Sequence, residues 1–276
     1  MIASTFQLAP GIGRARERQL WSMGLGSWQD LRLHPRPCVT PAFDKKLRQA
    51  VDSAADALAR GDAASLASMV PSGERWRLLP DFAQHALFLD IETGDDDVAF
   101  AGISAIGMLD RRGPRLLLGG RDLEAFPRVA SGHAMLVTFN GLSFDVPVLR
   151  KAFPTWAPPP LHVDLRHVLA RAGHHGGLKA IEVALGMPRP DHLAGIDGFA
   201  AVWLWRRGQL GDRAALRRFA EYNLMDVVNL PALSALAYNA LVDAVGAPAV
   251  RDATARLAIP WRGDVLYDVS KILLQL

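Results

Sequence analysis

Apolar residues fall into two patterns along the chain, and one gives way to the other near residue 86. Before that point, apolar positions three and four residues apart predict helices over residues 42–60 and 63–69. After it, short apolar runs predict strands over residues 86–93, 99–109, 115–118 and 134–139. The first three strands have short connections, which predicts an antiparallel run. The later alternation of strands and helices predicts a mixed α/β sheet.

Composition shifts divide the chain into three predicted parts. A helical region spans residues 1–70 and contains a linker at residues 34–41, where three prolines oppose both helix and sheet. The sheet and its helices occupy residues 71–240, and a C-terminal helical extension occupies residues 241–276. Helices are predicted over residues 14–23, 123–129, 213–236 with a kink at Pro231, and 238–250, and residues 95–97 are predicted to form a solvated acidic turn.

Two carboxylates stand close together near the end of the first predicted strand. Asp90 and Glu92 are two positions apart, so their side chains point to the same face of that strand. Like charges at the end of a hydrophobic strand repel each other and resist burial. A hard divalent cation with oxygen ligands, Mg²⁺ or Mn²⁺, is the commonest partner for such a pair.

Two further acids occupy marked positions. Asp145 follows the strand over residues 134–139 and precedes Pro147, in the first turn of a predicted helix, where an acid acts as a cap or as a metal ligand. Asp226 lies within a predicted helix among apolar neighbours. Helix propensity gives no reason for an aspartate there, whereas a bound cation does. Tyr222 precedes Asp226 by one helical turn and shares its face.

In their order along the chain, these residues resemble the three motifs of the DEDD exonuclease superfamily. The match is to the tyrosine-bearing subclass (DEDDy), which includes the proofreading domains of family B DNA polymerases. The motifs are Asp90-x-Glu92, Asn140-Gly-x-x-Phe144-Asp145 and Tyr222-x-x-x-Asp226. The resemblance is closest to the bacterial YprB-type ribonuclease H-like domains. It spans residues 75–236 and includes Arg75-Trp76, His162-Val163-Asp164-Leu165 and Gly177-Leu178-Lys179-Ala180-Ile181-Glu182.

The resemblance implies a ribonuclease H-like fold and hydrolysis of phosphodiester bonds from the 3′ end of a strand. Two divalent cations, Mg²⁺ or Mn²⁺ about 3.5–4 Å apart, would support the reaction. By analogy, Asp90 would bridge the ions and Asp145 would hold the second. Glu92 and Asp226 would hold the ion on the side of the nucleophile. Tyr222 would position the attacking water through its phenol, because a phenol with an ordinary pKa near 10 is not an obvious base.

Candidate substrate contacts surround these acids. They are Thr93, Asn140, Phe144 and Lys179. Asn140 would either orient the terminal nucleotide or fix the turn between strand and helix. Lys179 would contact a phosphate or remain a solvated lysine. Asp164, which follows another apolar strand, would support the acids or cap the end of its strand.

An N-terminal turn, Leu8-Ala9-Pro10-Gly11-Ile12-Gly13, resembles half of a helix-hairpin-helix element. In that family the turn lets backbone N–H groups approach a nucleic-acid phosphate, which makes Gly11 and Gly13 candidate substrate contacts. Arg14, Arg16 and Arg18 would add positive charge beside them. The alternative is a glycine turn in a small helical cap. Because such elements mostly meet DNA, single-stranded DNA is favoured over RNA as the substrate.

Composition and charge narrow the class of protein. With 276 residues and 50% hydrophobic content, the chain can bury a sizeable core. The single cysteine, Cys38, excludes an intramolecular disulfide and a multi-cysteine zinc site. No signal-like segment and no run of about 18 apolar residues is evident, so a cytoplasmic protein without a membrane segment is expected. The net charge is +3 with the basic excess in residues 1–80, which favours a polyanionic partner.

Three rival interpretations stay open alongside a 3′→5′ exonuclease. They are a catalytically silent nucleic-acid-binding module, an exoribonuclease, and a structure-selective endonuclease on the same fold. The presence of all four acids and the tyrosine argues against the first. A circular single strand has no 3′ end, so its cleavage would identify the endonuclease. The sequence identifies no protein partner.

Overall fold

A mixed sheet of five strands organises the chain. The computed structural model describes residues 1–94, 100–187, 189–247, 256–258 and 269–276. The strands are β1 (Ala86–Thr93), β2 (Ile103–Asp110), β3 (Gly113–Leu118), β4 (Met135–Thr138) and β5 (Leu161–Asp164). Their spatial order is β3-β2-β1-β4-β5. The pairs β1–β2 and β2–β3 are antiparallel and the pairs β1–β4 and β4–β5 are parallel, so the predicted mixed α/β sheet is confirmed.

Alternation of side chains along β1 determines which face of the sheet carries the acids. Leu87 and Leu89 belong to the hydrophobic cluster on one face, and Phe88 belongs to the cluster on the other. Asp90 and Glu92 share the face of Phe88, because they lie two and four positions beyond it. The central strand therefore delivers both acids to the same side of the sheet.

Helices cover both faces of the sheet. The helices before it are α1 (Arg14–Ser22), α2 (Trp28–Leu33), α3 (Pro41–Ala59), α4 (Ala63–Met69) and α5 (Leu79–Phe82). The later helices are α6 (Phe126–Val129), α7 (Asp145–Ala152), α8 (Leu165–Arg171), α9 (Leu178–Ala184), α10 (Gly198–Gln209), α11 (Arg213–Val228), α12 (Leu230–Val245) and α13 (Ser270–Leu273). The predicted helices over residues 42–60 and 63–69 are confirmed to within one residue.

The predicted helix over residues 213–236 forms as two consecutive helices, α11 and α12, joined by Asn229, which keeps helical angles (φ −84°, ψ −17°) two residues before Pro231. Pro231 lies in the first turn of α12, where a missing N–H costs nothing. α12 continues to Val245, so the helix predicted from residue 238 is its second half, and residues 248–250 lie outside the described residues.

By length and composition Arg213–Val245 could cross a membrane, but 78% of its apolar window is buried, as in a core helix.

The second predicted strand starts later than the sequence suggested. In the described residues β2 begins at Ile103, because Ala101 and Gly102 adopt positive φ angles of 54° and 76° and form a turn. Ala99 and the acidic residues 95–97 lie outside the described residues.

The helices before the sheet share a hydrophobic cluster with one of its faces. Leu47 and Val51 of α3 belong to the same cluster as Phe88 of β1, together with Leu233 and Leu241 of α12. The predicted division of the chain at residues 70 and 240 stays a prediction, and the buried cluster extends across both positions.

Candidate active site

Small residues on β2 lie opposite the two acids of β1. In the antiparallel register Asp90 is paired with Gly107, and Glu92 is paired with Ala105. A β-carbon at Gly107 would lie 2.4 Å from Oδ1 of Asn223 on α11. A side chain at this position would therefore push α11 away from β2, and glycine allows the close approach that brings the helix to the acids.

The third acid comes from α11. Tyr222 and Asp226 are both buried and lie one helical turn apart. Between them, Asn223 donates a hydrogen bond of 2.9 Å from Nδ2 to Oδ2 of Asp90, which ties the helix to β1. Asp90, Glu92 and Asp226 each offer a carboxylate oxygen, and these three atoms lie within 4.8 Å of one another. Acids from distant parts of the chain thus form one cluster.

The fourth acid is held beside β1 by the backbone. Asp145 is the first residue of α7, and its Oδ1 accepts a hydrogen bond of 3.0 Å from the N–H of Ile91. That N–H is available because the pairing of β1 with β4 ends at Phe88 and Val137. Asp145 stands outside the group of three, yet its charge, after the larger effect of burial, raises the pKa of Asp90. The four predicted acids therefore lie in one region.

Burial raises the pKa values of three of these carboxyl groups. It raises the pKa of Asp90 well above the ordinary value, and neighbouring acids, Asp145 first, add to the shift. Burial and then the charge of Asp226 raise the pKa of Glu92 to about 8. Burial raises the pKa of Asp145 to about 7. Several oxygen ligands that repel one another when ionised fit a hard divalent cation such as Mg²⁺ or Mn²⁺.

We expect the metal-free protein to lose stability as the pH rises. Glu92 and Asp145 bind protons in the folded state up to pKa values of about 8 and about 7, whereas unfolded carboxyl groups titrate near pH 4. Between these values the folded state holds more protons, so the free energy of unfolding falls as the pH rises from about 4 to about 8. Melting temperatures in EDTA should fall between pH 5 and 8, and saturating Mg²⁺ should remove most of the fall. A melting temperature in EDTA that rises over this range would contradict the assignment.

Two cationic side chains meet the same cluster. Nζ of Lys179 lies 3.8 Å from Oδ2 of Asp226 and donates a hydrogen bond to the hydroxyl of Tyr222. Arg189 donates to Oδ1 of Asp226 and to Oε2 of Glu182, so one guanidinium bridges two buried carboxylates. The predicted substrate contact Lys179 therefore lies at the acids, and Arg189 joins it.

Arg189→Met is expected to tighten Mn²⁺ binding by roughly tenfold, about 1.4 kcal/mol. The guanidinium competes with a cation for Asp226, and methionine fills similar space without charge. The same change should lower the melting temperature in EDTA, because Glu182 and Asp226 lose their shared partner. Calorimetric titration with Mn²⁺ measures the affinity. Arg207→Met, which removes an exposed ion pair with Asp212, should leave it unchanged, and weaker binding by the Arg189 variant would assign this arginine a supporting role instead.

The other predicted substrate contacts near the acids, Asn140, Phe144 and Thr93, lie in different surroundings. Asn140 has a φ of 67° and its Oδ1 accepts a bond of 2.7 Å from Arg166. Its N–H donates to Asp164 at 2.8 Å, and Asp164 also caps α8. Asp164 thus fixes the loop that leads to α7. Phe144 precedes α7 and is exposed, and Thr93 ends β1 beside a register shift.

The two N-terminal glycines lie on the turn before α1, apart from the acid cluster. Gly11 has a φ of +85°, and a β-carbon there would lie 2.9 Å from Cε1 of Phe43 on α3. Nη1 of Arg16 donates a bond of 2.6 Å to the carbonyl of Gly11. Packing against α3 therefore requires a glycine at position 11, and Gly13 caps α1 with open space around its α-carbon.

Sequence reasoning missed three residues of this site. Asn223 and Gly107 carried usable signals, because a buried asparagine beside a motif tyrosine and a glycine within a strand both mark close approaches. Arg189 carried none, since it lies in a loop without periodicity. Their contacts depend on how α11 and that loop pack on the sheet.

Comparison with known proteins identifies the region that contains the cluster. A family model described as RNase_H superfamily matches residues 87–238, from β1 into α12. Among solved structures, the family B DNA polymerase from the hyperthermophilic archaeon Pyrobaculum calidifontis is similar, with a TM-score of 0.41 and 17% sequence identity. The similarity covers 58% of this chain and 24% of the polymerase chain. The comparison with curated proteins gives no match.

Proposed function

Because the chain belongs to the RNase_H superfamily, we propose that it is a metal-dependent 3′→5′ exonuclease that acts on single-stranded nucleic acid, with DNA favoured over RNA. Within that superfamily we assign it to the tyrosine-bearing DEDD subclass, closest to the YprB-type domains. The observation that carries the proposal is the convergence of Asp90, Glu92 and Asp226, with Asp145 beside them. Family membership and this cluster support the coarser conclusion of a metal-dependent nuclease.

The acids would hold two divalent cations in distinct ways. Bound ions would polarise the phosphate and lower the pKa of the attacking water. We infer that Asp90 is the shared ligand, because its charge interacts with those of the other three acids. Glu92 and Asp226 would hold one ion on the face of α11. Asp145 would hold the second, with its carboxylate oriented by the N–H of Ile91.

Tyr222 would position the attacking water without taking its proton. Burial, followed by the charge of Asp226, raises the pKa of Tyr222 above its ordinary value, so the phenol stays protonated at neutral pH. A protonated phenol can donate or accept a hydrogen bond, but it is not a general base. Lys179, which donates to this hydroxyl, would fix the direction of the phenol and bring positive charge for a phosphate.

We propose that residues 1–70 grip the nucleic-acid backbone beyond the reacting end. The N-terminus of α1 supports this role, because the start of a helix presents free N–H groups to an anion. Gly13 at that end has nothing within 4 Å of its would-be β-carbon. Arg16 and Arg18 are exposed beside it.

Digestion of labelled strands tests the proposal. DNA and RNA of one sequence, labelled at the 5′ or the 3′ end, are incubated with Mg²⁺, Mn²⁺ or EDTA. A 3′→5′ exonuclease shortens the 5′-labelled strand stepwise and releases the 3′ label as a mononucleotide at once, and EDTA stops both. Faster digestion of RNA would reverse the substrate preference. Cleavage of a circular strand would identify an endonuclease, and binding without turnover would identify a silent module.

A further inference from the structure

A cavity lies at the end of the sheet opposite the acid cluster. Its volume is about 610 Å³, and it is lined by the residue before β1, the β2–β3 hairpin and the turn before β4. His85 at its wall precedes Asp90 by five residues. At about 3.3 Å per residue along a strand, the cavity is about 17 Å from the acids. It is therefore separate from the site described above.

Arginine dominates this cavity. Arg111, Arg112, Arg115 and Arg128 line it, and Asp110 is the one acid among the described lining residues. Among the described arginines of this cavity, Arg115 alone forms an ion pair with that acid, with Nη2 at 3.3 Å from its carboxylate. In the part of the chain that the structure describes, the guanidinium groups of the other three arginines have no hydrogen-bonding or ionic partner. The cavity thus carries a concentrated positive charge that the described residues do not neutralise.

The buried carboxylate of Asp110 organises the wall. It accepts a hydrogen bond of 2.7 Å from the N–H of Arg112, which fixes the tight β2–β3 turn. It also lies 3.3 Å from Nη2 of Arg115 and 3.3 Å from Nε2 of His133. These contacts join the hairpin to the segment before β4, so the arginines are presented on a backbone that is already ordered.

We propose that this cavity binds phosphate groups, supplied either by a nucleic-acid backbone or by a free nucleotide. A guanidinium presents paired N–H donors that match phosphate oxygens, and a multivalent anion stabilises several unpaired arginines that line one cavity. The volume exceeds the need of one phosphate and suits a ligand with several. Apart from Val129 the described lining residues are polar or glycine, which disfavours an apolar ligand. The proposal does not depend on the nuclease activity proposed above.

Charge reversal at the hairpin tests it. Arg111→Glu/Arg112→Glu is compared with Arg217→Glu/Arg218→Glu, a control that reverses two adjacent exposed arginines on α11. The probes are sodium tripolyphosphate, by calorimetry, and a fluorescent 20-nucleotide single strand, by anisotropy in EDTA at several salt concentrations. We expect the hairpin variant to bind tripolyphosphate at least tenfold more weakly than wild type, with the control within about twofold. Melting temperatures confirm that both variants fold.

The two probes separate the sources of phosphate. One outcome is that the hairpin variant also binds the strand more weakly, with the slope of the logarithm of affinity against the logarithm of salt concentration reduced by about 1.4, the equivalent of about two phosphate contacts. In that case the nucleic-acid backbone is the ligand. If strand binding is unchanged while tripolyphosphate binding is lost, a free nucleotide is the ligand. If the hairpin variant binds both probes as wild type does, or wild type binds neither, the proposal is overturned. Because EDTA prevents metal-dependent cleavage, these outcomes stand whether or not the protein is a nuclease.

Discussion

Asp90→Asn is expected to lower the rate of strand cleavage by about 10³-fold or more, about 4 kcal/mol of activation free energy. Asparagine keeps the volume of the side chain and can still accept the hydrogen bond from Asn223, which Asp90 receives at 2.9 Å. It lacks the charge that two cations would share, so the loss falls on metal binding and on the reacting phosphate. Gel analysis of a 5′-labelled strand at saturating Mg²⁺ measures the rate.

Melting temperatures distinguish a loss of cleavage from misfolding of the Asp90 variant. Burial and neighbouring acids raise the pKa of Asp90, so its ionised form destabilises the metal-free protein at pH 8. Asp90→Asn should therefore melt at a higher temperature than wild type in EDTA while gaining less from Mg²⁺. Asp56→Asn, an exposed change on α3, is the matched control and should alter neither property. Cleavage retained within tenfold by the Asp90 variant would remove the shared-ligand mechanism.

Local signals marked three of the four acids, and the resemblance to the DEDD motifs predicted that they form one site with Asp145. Asp90 and Glu92 share a face by the two-residue period of a strand, and Asp226 is out of place in an apolar helix. The strand that carries the first pair is central, so its apolar run is unbroken. Such signals need no knowledge of the neighbouring elements, which is why they survive in the sequence alone.

The rest of the site depends on packing between elements far apart in sequence. Asn223 reaches Asp90 across 133 residues, and the approach is possible because Gly107 has no side chain. Arg189 meets Asp226 from a loop 37 residues away. The junction at Asn229 follows the same rule, because Pro231 is equally compatible with a kink or with a new first turn. Local patterns cannot choose between those outcomes.

A buried ion-pair network joins the N-terminal helices to the segment before the sheet. Arg77 is 1% exposed. Its Nη1 and Nη2 donate to Glu17 of α1 at 2.9 and 2.8 Å, and its Nε donates to Glu74 at 2.8 Å. Glu17 also accepts a bond of 2.8 Å from the N–H of Phe6. Arg77 thus pairs with two buried carboxylates on opposite sides of the predicted boundary at residue 70, and Glu74 also pairs with Arg14 and Arg171.

Arg77→Met is expected to lower the free energy of unfolding by roughly 3–5 kcal/mol. Methionine fills much of the space of the arginine stem, so the main loss is charge. Glu17 is left buried with neutral hydrogen-bond donors alone among the described residues, whereas Glu74 keeps Arg14 and Arg171 as partners. Urea denaturation followed by tryptophan fluorescence measures the change. Arg32→Met is the control, because its pair with Asp52 is exposed on both sides and should contribute less than about 1 kcal/mol.

A second substitution identifies the cause of that loss. Glu17→Gln should destabilise the wild-type protein, yet in the Arg77→Met background it should recover stability, because it removes a charge that has become uncompensated. These opposite changes in stability are expected only if the charges of Arg77 and Glu17 interact. Additive losses would attribute the effect to packing. If the Arg77 variant shows a separate unfolding transition at low urea concentration, residues 1–70 unfold on their own. If it shows a single transition with a lower midpoint, this region and the sheet form one cooperative unit.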